Sequence, residues 1–98
     1  MKKHELKTDP IVFAETWSGK KNFEVRVNDR DFQVGDALDL WETSFTGEEM
    51  KKGSSLIYTG RYIEVEVEYI LHGPIYGLAE GWVIMATRFI TRGTKDRK

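Results

Sequence analysis

The sequence predicts an α+β fold that is mostly β: a small mixed barrel of five or six short strands with one helix near the amino terminus. Three observations lead there. Residues 61–71 alternate Ile63, Val65, Val67 and Tyr69 with Glu64, Glu66 and Glu68, the strongest period-two pattern in the chain. A single helical signature occurs early, at Thr8-Asp9-Pro10 and the residues after it. The remaining apolar runs are short and separated by glycine, asparagine or proline turns, so strands outnumber helices too heavily for βαβ units.

Taken in order, His4-Glu5-Leu6-Lys7 reads as a first strand. The helix follows over about residues 10–18. A capping side chain precedes proline at its first position, Phe13 and Trp17 fall four apart, and Gly19 stands where a helix ends. Asn22 to Val27 is the next strand, closed by a polar turn at Asn28-Asp29-Arg30. Phe32 to Asp36 makes a corner, and Ala37 to Trp41 returns as a strand with Leu38 and Leu40 inward. Residues 43–55 are polar, carry Gly47 and Gly53, and read as a mobile loop. Thr59-Gly60 turns into the long strand, His72-Gly73-Pro74 breaks it, and Trp82 to Ile90 is the last strand. From about Thr91 a basic tail is expected to fray.

The 98 residues make one domain, large enough to bury roughly 60–70% of the unfolded surface. There is no cysteine, which excludes disulfides and thiolate metal sites. No apolar run approaches the roughly 18 residues of a membrane helix, and no signal-peptide core follows the first residues, so a soluble cytoplasmic protein is expected. A net charge of −1 weighs against a broad polyanion binder. Glu64, Glu66 and Glu68 cluster, while the last residues are basic, so a bipolar surface is expected.

The densest chemistry lies between Gly19 and Asp36. Glu24 and Arg26 are two apart and share one face of a strand whose other face carries Phe23, Val25 and Val27; Lys20 and Lys21 stand at its mouth. Arg26 is the right group to fork onto a phosphate or a base edge, and Glu24 to accept from an exocyclic amine. The same pair also suits a structural ion-pair belt, and the lysines suit a helix C-terminus. Asn28, Arg30 and Arg61 flank turns, as ligand contacts or as solvated turn residues. Among the aromatics, Trp41 and Tyr76 stand nearest polar loops as stacking platforms. The two histidines, His4 and His72, supply no three- or four-ligand metal set, and no phosphate loop or dinucleotide fingerprint is present.

These residues resemble the ASCH domain (activating-signal-cointegrator homology) of the PUA-like superfamily. The resemblance rests on the glycine-lysine turn after the helix, Glu24-x-Arg26 and the Val34-Gly35-Asp36 corner. It extends through His4 to Lys7, Asn28 to Phe32, Tyr58 to Arg61 and Tyr69 to His72, in the pattern of a small bacterial and phage subfamily. It implies a pseudo-barrel with a cleft beside the first helix, and RNA or a nucleotide-like ligand as partner, with no cofactor, metal or membrane. One enzymatic branch hydrolyses the acyl amide of N4-acetylcytidine. Its catalytic lysine falls on Lys21, but its threonine nucleophile is replaced by Glu24.

Three functions follow. The first is an RNA- or nucleotide-binding module using Lys20, Lys21, Glu24, Arg26, Asn28, Arg30 and Arg61. The second is a small amidohydrolase with Glu24 as general base and Lys21 as oxyanion partner, roles that conflict because a nearby lysine lowers the glutamate's basicity. The third, resting on loop length alone, is a protein-interaction module using residues 43–55.

Overall fold

The computed structural model describes residues 1–97. Its elements are β1 (Lys3–Thr8), α1 (Pro10–Trp17), β2 (Phe23–Val27), β3 (Ala37–Thr43), α2 (Gly47–Lys51), β4 (Tyr58–His72) and β5 (Trp82–Thr94). The five strands form one sheet in the order β1-β3-β4-β5-β2. The β1–β3 pair is parallel and the other pairs are antiparallel. The sheet curls into a half-barrel, as the mostly-β α+β reading requires.

The concave side holds the core: Leu6 from β1, Leu38 and Leu40 from β3, Ile63, Val65 and Val67 from β4, and Val83 and Met85 from β5. Phe13 of α1 and Phe32 of the β2–β3 connection close it. Alternation explains the choice, because each of these residues stands an even number of places from its buried strand neighbour. His4 shares this side, and its Nε2 meets Asp36 Oδ2 at 2.8 Å, pinning β1 to the corner before β3. Burial acts to raise the Asp36 pKa, but His4 and the backbone N–H groups of Lys2 and Gln33 outweigh it and hold the carboxyl low.

The curl brings the outer strands β1 and β2 near each other without joining their backbones. Side chains span the seam instead. Arg26 donates to the Lys7 carbonyl at 3.0 Å and to Thr8 Oγ1 at 3.2 Å, and Arg30 donates to the Glu5 carbonyl at 2.9 Å.

Several elements differ from expectation. The 43–55 segment contains α2, started by a reciprocal capping box in which Thr46 accepts from the Glu49 N–H and Glu49 accepts from the Thr46 N–H. Asp9 does not cap its own helix; its carboxylate accepts from the Gly47 N–H at 2.9 Å, tying α2 to the start of α1. The tail does not begin at Thr91. Residues Thr91 to Thr94 pair with Glu64 to Arg61, and Arg97 lies over the rings of Trp41 and Tyr58 at 4.6 and 4.8 Å while donating to Glu5 at 2.9 Å. Arg97 in turn lowers the Glu5 pKa, chiefly through that hydrogen bond. Trp41, expected near an open loop, is buried beneath this guanidinium, whereas Tyr76 is exposed.

β4 is an interior strand between β3 and β5, so its glutamates do not guard an edge. Glu64 pairs with Lys3 and Glu66 with Arg88, which interleaves the charges that composition placed at opposite poles. A register shift between Val67 and Tyr69 inserts one residue and turns Tyr69 outward, away from the face that Ile63, Val65 and Val67 share.

Candidate functional site

Gly19, at φ +83°, ends α1 in the left-handed conformation, and the N–H groups of Lys20 and Lys21 both return to the Glu15 carbonyl. This tight turn throws the Lys21 side chain toward β2. Its Nζ donates to the Phe23 carbonyl and to Glu24 Oε2, each at 2.6 Å. The other Glu24 oxygen accepts from Arg26 Nε at 3.1 Å and Nη2 at 2.9 Å.

Glu24 is only 3% exposed and stands opposite Met85 on the concave side of the sheet. A carboxylate in that position is costly unless every lone pair finds a donor, and two cations supply them here. The charged face of β2 is therefore the inner one. Phe23, Val25 and Val27 face out and are exposed.

Two clefts share Lys21 as a wall. One, of about 420 Å³, lies between the end of α1 and the inner faces of β4 and β5; Trp17, Asn22, Thr87, Phe89 and Arg92 line it with Lys21. The other, of about 470 Å³, follows the β1–β2 seam past Thr8, Asp9, Glu24 and Arg26. In the first, Phe89 is 55% exposed and presents an aromatic surface to the opening. The Trp17 ring is already covered: Arg92 and Arg61 lie over it at 4.2 and 4.9 Å. Asn22 offers an amide and Thr87 a hydroxyl beside these rings. Apolar walls with a few convergent polar groups are the usual make-up of a small-ligand site.

A profile of a family described as a domain of unknown function, DUF3850, matches residues 3–87. The chain belongs to that family. The DUF3850 match runs from the first residue of β1 into β5, taking in Lys21, Glu24 and Arg26. No curated protein matches this DUF3850 chain. No helix in its described residues is long and apolar enough to cross a membrane, and no group of three or more metal-ligating side chains occurs among them.

Of the residues that the DUF3850 sequence singles out, Lys21, Glu24 and Arg26 meet in one cluster. Lys20 is exposed beside it. Asn28 serves its own turn, accepting from the Phe32 N–H at 2.9 Å, and Arg30 spans the seam rather than facing either cleft that Lys21 walls. Arg61 is no solvated turn residue. It forks onto Glu42 at 2.9 and 2.8 Å and lies over Phe13 and Trp17, bracing α1 against the sheet. Burial acts to raise the Glu42 pKa, yet Arg61 and Thr59 prevail and lower it.

Sequence reasoning missed Thr87, Phe89 and Arg92 as cleft residues. Continuing the alternation of Val83 and Met85 reaches Thr87 and Phe89 directly. Arg92 is hidden because a second register shift, between Glu64 and Val65, inserts Ile90 and resets the phase of β5.

Proposed function

We propose that this DUF3850 protein is an RNA- or nucleotide-binding module of the ASCH, PUA-like kind, acting in the cytoplasm of bacteria or their phages. It takes one unstacked base into the cleft beside α1. The observation that carries this reading is the exposed Phe89 ring in a cleft of about 420 Å³, with Asn22 and Thr87 beside it and Arg92 and Lys21 at its walls. A base stacked on Phe89 gains about 1–3 kcal/mol, and Asn22 is suited to pair with a base edge. Arg92 and the exposed Lys20 then serve the flanking phosphates, because Lys21 is already committed to Glu24. Glu64 and Glu66, which would repel phosphate, sit on the convex side, away from the cleft.

Hydrolysis of an acylated nucleoside is the weaker reading. Both oxygens of Glu24 already accept from cations, so the group is poorly placed to take a proton from water.

Fluorescence anisotropy of labelled single-stranded and hairpin RNAs at several salt concentrations tests the proposal, with Phe89→Ala and Arg92→Ala alongside. Saturable binding that weakens with salt and is weakened in both variants supports it. Flat titrations, or binding that both variants retain, sink it. Release of cytidine from N4-acetylcytidine would move the assignment to the hydrolase.

A further inference from the structure

The convex side of the sheet carries an apolar block that the cleft beside α1 does not use; Phe23 and Val25, at its edge, also border the seam cleft. Three neighbouring strands contribute to it in register. Val25 of β2 lies beside Ile84 of β5, which lies beside Leu71 of β4. Phe23 lies beside Ala86 and then Tyr69, and Val27 lies beside Trp82. The five largest exposed members range from 40% (Trp82) to 60% (Tyr69) exposure. Charge appears only at the rim, where Arg88 meets Glu66 and Glu68 is exposed. Strands that face water on one side ordinarily carry polar residues there, and β2 does the reverse.

The five residues offer about 500 Å² of apolar surface, at the upper end of what a monomer leaves open. Two such faces, wholly covered, reach about 1,000 Å², the lower bound for a specific interface. An isologous contact also needs a surface that complements itself. A two-fold axis along the row Val25–Ile84–Leu71 lays β5 antiparallel over its copy. The register then sets the large Trp82 ring above Ala86 of the second copy, and Phe23 above its Val27. Bulk meets small side chain at both ends, and sheets stack at about 10 Å in this way. No charge in the block asks for a partner of opposite sign.

We infer that the convex face of β2, β5 and β4 is a homodimer interface, occupied by the same face of a second copy of this chain. Aromatic anchors inside a polar rim are the pattern of a contact that holds. The cleft beside α1 lies on the concave side and stays open in the pair.

Sedimentation equilibrium of the full chain from micromolar to millimolar concentration tests this, with Tyr69→Lys and Trp82→Lys as independent variants checked by circular dichroism. The wild type is expected to show a monomer–dimer equilibrium, and each folded variant a dissociation constant raised at least about tenfold. The cysteine-free background allows a second reading: Ile84→Cys, on the axis, should be joined into a covalent dimer by a bis-maleimide long enough to span the roughly 10 Å between stacked sheets, while Glu48→Cys on α2 should not. A wild type monomeric throughout overturns the inference, and so does capture of a different protein by Tyr69 and Trp82 in a monomeric chain. A dimer that both lysine variants leave intact, or equal cross-linking at positions 84 and 48, does the same.

Discussion

Arg26 grips Glu24 at 2.9 Å from two residues along the same strand, inside the curl of the sheet, and with its remaining donors reaches across to the Lys7 carbonyl and Thr8. One guanidinium thus neutralises a buried carboxylate and ties two strands that share no backbone hydrogen bond. Glu24 is as much a fixture of the fold as a wall of the cleft.

Removing that carboxylate should cost stability. Glu24→Ala leaves Lys21 and Arg26 facing each other without an anion, and breaking a buried pair costs about 3–5 kcal/mol. Partial solvent access to both cations brings the expected loss to about 2–3 kcal/mol. Urea denaturation measures it. A loss below about 0.5 kcal/mol would place the variant among ordinary surface changes and refute the role.

Stability should fall in acid through Asp36 and Glu42. Both have pKa values lowered in the folded protein. Their contribution is complete above the unfolded values, about 3.9 and 4.3, and is lost as pH falls through the lower folded values. Asp36→Asn should lower the melting temperature at neutral pH and flatten the acid limb of the stability curve. A limb as steep as the wild type's would contradict this.

Asp39 carries the opposite sign. Burial raises its pKa, with Glu64 and Glu5 adding to the effect against Lys3 and Lys95, and its Oδ1 has no partner. A raised folded value favours folding in the protonated form, a benefit present below about 3.9 and lost as pH rises through the folded value. Asp39→Asn should therefore raise the melting temperature by a few degrees at pH 7 and leave it nearly unchanged in acid. A fall at pH 7 would show that the ionised group is needed.

In the binding assay, the two new cleft residues should fail differently. Phe89→Ala should weaken RNA about 5- to 150-fold at every salt concentration, the equivalent of losing about 1–3 kcal/mol of stacking. Arg92→Ala should instead reduce the slope of log affinity against log salt by about 0.7, the effect of one phosphate contact on a single strand. Identical salt slopes in the two variants would remove Arg92 from phosphate contact.

Arg97→Ala should uncover Trp41. The guanidinium lies over Trp41 and Tyr58, an arrangement worth about 0.5–2 kcal/mol. Tryptophan emission should shift to the red and the melting temperature should drop. An unchanged spectrum would mean that the tail leaves Trp41 as it was.

The helix and the strands were legible because capping, proline and period-two alternation act locally. Alternation divides a strand into two faces but does not say which is inner. For β2 the usual inference from Phe23, Val25 and Val27 points the wrong way, since Glu24 lies opposite Met85 of a distant strand while its ion-pair partners Lys21 and Arg26 are local. Bulges are equally silent. One extra residue near Glu68 turned Tyr69 outward, and another at Ile90 hid Arg92 from the cleft pattern. The shared face of Glu24 and Arg26 was readable from spacing, but which of Lys20 and Lys21 joins them was not, because the turn resets the phase of the strand. Whether it faces a ligand or holds the fold depended on Lys7 and Thr8, which lie on another strand.

The stitched seam has a bearing on solubility as well as shape. The carbonyls of Glu5 and Lys7 point away from the partner strand of β1, and an unoccupied row of such groups is where a foreign strand adds and aggregation starts. Arg30 and Arg26 occupy those two acceptors with charged, bulky groups that no incoming backbone can displace cheaply. The arginines that hold the curl also guard its lip, so losing them would open this edge to a foreign strand as well as loosen the fold.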